Sequence, residues 1–213
     1  MNYAKGIWDS PWVGIKNFTF LFRSPDSWII IRNTILYNIV FIFLGTAFSV
    51  FIAILLNECS RKWQKRYQTL ILIPHLLSYV VVSYIAYAFL GAENGMINNQ
   101  ILRPLGLDPI PFYTEDKYWP FILVFVNIWK TFGYSSIIYF ASIIGIDRTY
   151  YEAAEVDGAS AWTQIWSITL PLLKPVLITM LLLSVGRILY SDFGLFYQVP
   201  MDSGMLFNTT NTI

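Results

Sequence analysis

The chain has 213 residues, 56% of them hydrophobic and 13% charged, with a formal net charge of +1. A soluble domain carries about 25% charged residues, so this is the composition of an integral membrane protein, and the balanced charge implies no nucleic acid or other strongly charged partner. The single Cys59 excludes an intrachain disulfide, and His75 as the only histidine leaves no metal-ligand cluster and no histidine-based catalytic constellation.

Residues 1–28 are short on apolar runs but hold Trp8, Trp12, Phe18, Phe20 and Phe22. Aromatics at this density beside a span suit a membrane interface, so the segment reads as an extracellular or interfacial lead-in. The first predicted span covers 29–56. Its uninterrupted part, 35–56, is 22 residues, about 33 Å of helix, enough to cross a hydrocarbon core. Arg32, Asn33 and Thr34 mark its start, and Gly45, Thr46, Ala47 and Ser49 form a small-residue stretch that lets another helix approach closely.

Residues 57–68 set Arg61, Lys62, Lys65 and Arg66 against one acid, Glu58. A second span is expected over 69–90, with Pro74 and His75 near its beginning, where a proline does least harm, and His75 as a hydrogen-bonded packing residue. Residues 91–119 form a turn-rich loop with Asn94-Gly95, Pro104, Pro109 and Pro111. A third span runs over about 120–146 and a fourth over about 172–190. The division is therefore a lead-in, 1–28, a membrane domain, 29–190, with a connecting loop at 147–171, and a polar tail, 191–213. Basic loops stay in the cytoplasm. That puts 57–68 and 147–171 inside, and the lead-in, 91–119 and the tail outside.

In 147–171 polar residues carry the pattern: Glu152-Ala153-Ala154, then Gly158, then Ile168 and Leu170-Pro171. Asp147 stands where a short side-chain oxygen caps a helix start. Two alanines let that helix lie close to a partner's groove. Gly158 permits backbone angles that end one helix and begin another. Ser160 to Ser167 then form a second helix with Trp162, Ile165 and Trp166 on its apolar side, and Pro171 suits the start of the next span. The expected object is a helix–turn–helix lever fused to a spanning helix. The plainer alternative is an amphipathic connector on the membrane surface.

This spacing resembles the EAA loop of ABC-transporter permease subunits, which docks on a cytoplasmic ATPase. The resemblance assigns coupling to Glu152, Ala153, Ala154, Asp157, Gly158 and Ala159. Trp8-Asp9-Ser10-Pro11-Trp12, Arg32-Asn33-Thr34, Leu55-Leu56-Asn57-Glu58, Ile73-Pro74-His75, Gly145-Ile146-Asp147 and Phe193-Gly194-Leu195-Phe196-Tyr197 extend it along nearly the whole chain, toward the binding-protein-dependent, LplB-like carbohydrate-uptake branch. It implies an all-α, polytopic membrane helical bundle of the ABC importer permease type. Four spans of about six are expected here, with the tail leading toward a last helix outside this sequence. It also implies a non-enzymatic subunit with no cofactor of its own, ATP and Mg being held by partner ATPase subunits. The other implied partners are a second permease subunit, an extracellular sugar-binding lipoprotein and membrane lipids. The implied setting is the cytoplasmic membrane of a Gram-positive bacterium, and the implied cargo an oligosaccharide moved by alternating access.

Ionisable and amide groups inside spans are site candidates because burying them is costly. Asn127, Lys130 and Tyr134 share one helical face at i, i+3 and i+7, and Arg187 lies in the outer half of the fourth span. Amide and charged donors beside flat rings suit a sugar. The alternative for Lys130 and Arg187 is pairing with carboxylates or carbonyls of a sister subunit, or snorkelling to an interface. Two further readings stand beside the sugar permease. One is a permease for a non-sugar solute. The other is a membrane enzyme or sensor with a surface-binding loop, which would need a catalytic constellation in the spans.

Overall fold

The computed structural model describes residues 24–213 and, before them, Gly14 and Thr19. Trp8, Trp12, Phe18, Phe20 and Phe22 of the expected lead-in lie outside the described residues. Among those described there is no strand. The helices are α1 (Pro25–Glu58), α2 (Arg61–Leu76), α3 (Tyr79–Leu90), α4 (Trp119–Ile144), α5 (Arg148–Val156), α6 (Ala161–Gln164), α7 (Leu170–Val185) and the short α8 (Phe207–Thr210).

Three continuous helices are long and apolar enough to cross a membrane: Asp26–Glu58, Asp116–Ile144 and Ala161–Val185. A fourth crossing exists if α2 and α3 form one span, but their axes differ by 93° at the break. Hydropathy alone reads 69–90 as one straight span, and the structure corrects this. Pro74 stands inside the last turn of α2, not at the beginning of a span. Ser78 then starts α3 by accepting the Val81 N–H at 3.3 Å. The fourth span also differs from expectation. A π-helical turn, Ile165–Thr169, joins α6 to α7, so the short α6 and the spanning helix are one rod from Ala161 to Val185. The Leu170 N–H reaches back five residues to Ile165, just before Pro171, which has no N–H to give.

α4 is the central helix, packed along α1 and against α2. Gly133 makes the second contact possible: a Cβ there would collide with the Ile71 carbonyl oxygen. In the small-residue stretch of α1, Ser49 is buried with its hydroxyl 3.5 Å from the Phe132 carbonyl, and Gly45, with nothing near its Cβ position, lines a cavity together with Thr46 and Ser49.

Two apolar clusters hold the bundle. One, near the ends of α5 and α6, contains Val50, Ala53, Tyr139, Phe140, Ile143 and Leu173. The other joins α1, α3 and α4 to residues of the tail, with Tyr37, Val82, Trp119, Leu123, Leu195 and Leu206. The tail is therefore built into the bundle. Arg32, Asn33 and Thr34, which mark the start of the first span in sequence, are where it docks. The Asn33 amide donates to the Asn208 and Asn211 carbonyls at 2.9 and 3.0 Å, and the Ile213 N–H reaches the Thr34 hydroxyl at 3.0 Å. The loop before α4 is pinned by the fully buried Asn98, which donates to the Ile110 carbonyl and accepts the Ile110 N–H, each at 2.9 Å. Ser203 ties tail and loop together through the Tyr113 carbonyl at 2.8 Å.

Candidate functional site

α5 is a short amphipathic helix whose start and stop are both written in its sequence. Asp147 accepts the Thr149 N–H at 3.0 Å, the expected cap. This hydrogen bond to the backbone, with a second from the Thr149 side chain, holds its carboxyl below the usual carboxylate range. At the other end Gly158 has φ +78°. Its N–H bonds the Glu155 carbonyl at 3.0 Å, and the Ala159 N–H bonds Ala154 at 2.9 Å. These are the paired bonds of a Schellman turn, for which glycine is preferred because it has no Cβ to clash at positive φ. Ser160 then caps α6 by accepting the Thr163 N–H at 3.3 Å.

The elbow so formed projects. No residue of α5 is buried, and Val156 is 89% exposed. Glu152, Ala153, Asp157 and Gly158 are exposed, while Ala154 and Ala159 are half-buried. Trp162 and Trp166 form an exposed edge-to-face pair with centroids 5.9 Å apart. The elbow is anchored to the bundle by the Tyr151 and Thr169 hydroxyls, 2.9 Å apart. A cavity of about 760 Å³ lies between it and the α1–α2 connection, with Arg61 and Gln64 facing Arg148, Glu152 and Glu155. Loops 57–68 and 147–171 thus share one end of the bundle, and loop 91–119 and the tail share the other.

The structure separates the four residues expected along a solute path. Lys130 is turned into the bundle. Its ammonium donates to the Leu77, His75 and Pro74 carbonyls at 2.6, 3.1 and 3.4 Å, and lies 4.7 Å from the centre of the Tyr79 ring. Those carbonyls lie at the end of α2, where a helix leaves its last C=O groups short of helical partners, although Pro74 also accepts the Leu77 N–H at 3.3 Å. Three donors meet three acceptors, so the expected contact between Lys130 and solute gives way to a role inside this chain. Tyr134 is on another side, stacked on His75 at 5.0 Å. His75 takes its hydrogen bond through its carbonyl, and its ring is exposed.

Asn127 and Arg187 do come together. Both line a cavity of about 330 Å³ between α1, α4 and the end of α7. α7 stops at Val185, where the chain turns through Arg187 to Tyr190. Asn38 of α1 holds that turn, donating to the Ile188 and Tyr190 carbonyls at 2.9 and 3.0 Å.

A family model described as the binding-protein-dependent transport system inner membrane component matches residues 31–191. The chain belongs to this family. It is a membrane protein of the transport class.

This transport component is 35% identical over 207 residues to the polygalacturonan/rhamnogalacturonan transport system permease protein YteP of Bacillus subtilis, a match covering 97% of the chain and 62% of the relative. It is 33% identical to Protein LplB of the same organism, over 90% of the chain and 60% of the relative. The chain thus spans about three fifths of the length of these curated relatives. A crystal structure of a bacterial ABC transporter involved in import of the acidic polysaccharide alginate superposes with a TM-score of 0.88 at 32% identity, covering 95% of this chain and 70% of the other. The bacterial alginate transporter in complex with an alginate pentasaccharide-bound periplasmic protein gives 0.86 at 32% identity, over 93% and 68%.

Sequence reasoning about this transport component passed over Asn38, Tyr79 and Asp192, which line the cavity with Asn127 and Arg187. Asn38 carried a usable signal, being an amide inside an apolar run. Tyr79 and Asp192 did not, because only the helix break and the end of α7 bring them there.

Proposed function

We propose that this chain is the transmembrane core of a permease subunit in an ATP-driven importer, and that the α5–α6 elbow is its contact with the ATPase. The observation that carries the reading is an exposed, capped helix bearing Glu152-Ala153-Ala154 and turned by Gly158 at positive φ, at the end of the bundle where the basic loop lies. In this mechanism ATP closes a pair of partner ATPase subunits, which hold the nucleotide and Mg. The elbow moves with them as a lever. Because α6 continues through the π-turn into α7, a push on Ala161 passes straight into a spanning helix. Rocking of the spans then opens the solute path to alternate sides, and the chain itself performs no bond chemistry.

The relatives named for polygalacturonan, rhamnogalacturonan and alginate support a carbohydrate cargo of oligosaccharide size, delivered by an extracellular binding protein to this subunit and a second permease. The proposed setting is the cytoplasmic membrane of a Gram-positive bacterium. The test is ATP hydrolysis by the complete transporter in liposomes. Hydrolysis stimulated by sugar-loaded binding protein, and abolished when Glu152 and Gly158 are replaced by Lys and Val, fits the proposal. Stimulation that persists in the double variant rejects the elbow as the coupling element.

A further inference from the structure

Three ionic side chains reach the region between α1, α4 and the end of α7, and two are already answered. The Lys130 ammonium meets three carbonyl oxygens. Asp192 accepts the Gly194 and Leu195 N–H groups at 2.8 and 3.4 Å. Arg187 is different. Among the described residues its side chain has no ion pair and no hydrogen bond. Its guanidinium sits 4.8 Å from the centre of the Tyr190 ring on the cavity wall. The Asn127 amide, on the α4 side, also has no hydrogen-bond partner among the described residues.

We propose that this cavity takes a sugar carrying a carboxylate, a uronic-acid unit of an oligosaccharide, and that Arg187 is the residue that reads the acid. The inference rests on the transport reading and narrows its substrate class. Arg187 stands two residues beyond the end of α7 and is exposed, so its guanidinium is accessible to an anion entering the cavity. A guanidinium offers two parallel N–H groups that match the two oxygens of a carboxylate. A neutral sugar would displace water from Arg187 and leave its charge unanswered, whereas a uronate supplies the missing partner. The remaining groups suit the rest of the ring: Asn127 for hydroxyls, and Tyr190 for an apolar face. Stacking on Tyr190 also holds the guanidinium in one orientation before the sugar arrives.

The experiment uses the complete transporter, with its second permease, ATPases and binding protein, in proteoliposomes. Uptake is measured for trigalacturonate and for its methyl ester, which has the same rings and no charge. The wild type takes up the acid. Arg187→Gln lowers the acid-to-ester uptake ratio at least tenfold, and Arg187→Lys lowers it less, since the charge is kept and the paired geometry lost. An unchanged ratio in Arg187→Gln overturns the inference and leaves the transport reading standing, as does a wild type that imports the ester but not the acid. Absence of ATP-driven uptake of both sugars also overturns the inference, and the transport reading then stands or falls on whether sugar-loaded binding protein stimulates ATP hydrolysis.

Discussion

Lys130 on α4 donates to the Leu77 carbonyl at 2.6 Å, at the residue where α2 stops and the chain turns through 93° into α3. A single ammonium caps the helix end through this bond and two others. Lys130→Met keeps the length of the side chain and removes its donors. The variant is expected to lose about 2 kcal/mol, the order of a lost buried charge-assisted hydrogen-bond set, seen as a lowered thermal midpoint in detergent. A midpoint equal to wild type would mean that the break is held by something else.

The close approach of α4 and α2 makes a second prediction. Gly133→Ala puts a methyl carbon where the Ile71 carbonyl stands, and both are backbone-bound, so neither can rotate away. The helices must separate, at a cost of about 1–3 kcal/mol. The expected signs are a broadened size-exclusion profile and a lowered midpoint, with larger effects for Gly133→Val.

Gly158 calls for the opposite pattern. A Cβ there would meet nothing within 4 Å, so the constraint is its φ of +78° alone. Asparagine tolerates this region and valine does not. Gly158→Asn is expected to retain ATPase copurification and Gly158→Val to lose it, while both fold with wild-type midpoints because the elbow lies outside the bundle. Equal loss in both variants would assign the site to the side-chain surface instead of the turn.

Asp147 gives a pH signature. Its pKa is depressed in the folded state, so the cap contributes fully at neutral pH and is lost only as pH falls through that lowered value, below the ordinary aspartate range. A spin label at the exposed Tyr150 should stay immobile at pH 7 in the wild type and become mobile in Asp147→Ala. Mobility that is the same in both would show the cap to be dispensable.

Much of this architecture is legible in the residues. Long apolar runs locate the spans. Asp147, Gly158 and Ser160 each mark a helix boundary through a local rule, and each boundary is where the rule puts it. What the residues conceal is long-range. Ile73 to Tyr79 is apolar enough to read as uninterrupted helix, and the break there is secured by Lys130, more than fifty residues away in sequence. Lys130 itself looks like a solute contact until its three acceptors are seen. Pro171 suggests a helix start, but a π-turn absorbs its missing donor and lets the rod continue. The polar tail gives no sign that Leu195 and Leu206 are fully buried against α1, α3 and α4.

The central claim, that the α5–α6 elbow meets an ATPase in the cytoplasm, is tested most directly by a single cysteine at Val156 in a Cys59→Ser background. Its 89% exposure makes the position reactive toward a membrane-impermeant maleimide. The account predicts labelling only from the cytoplasmic face of oriented vesicles, and protection when the ATPase subunits are bound. Labelling from the outer face, or equal labelling with and without the ATPase, would contradict it.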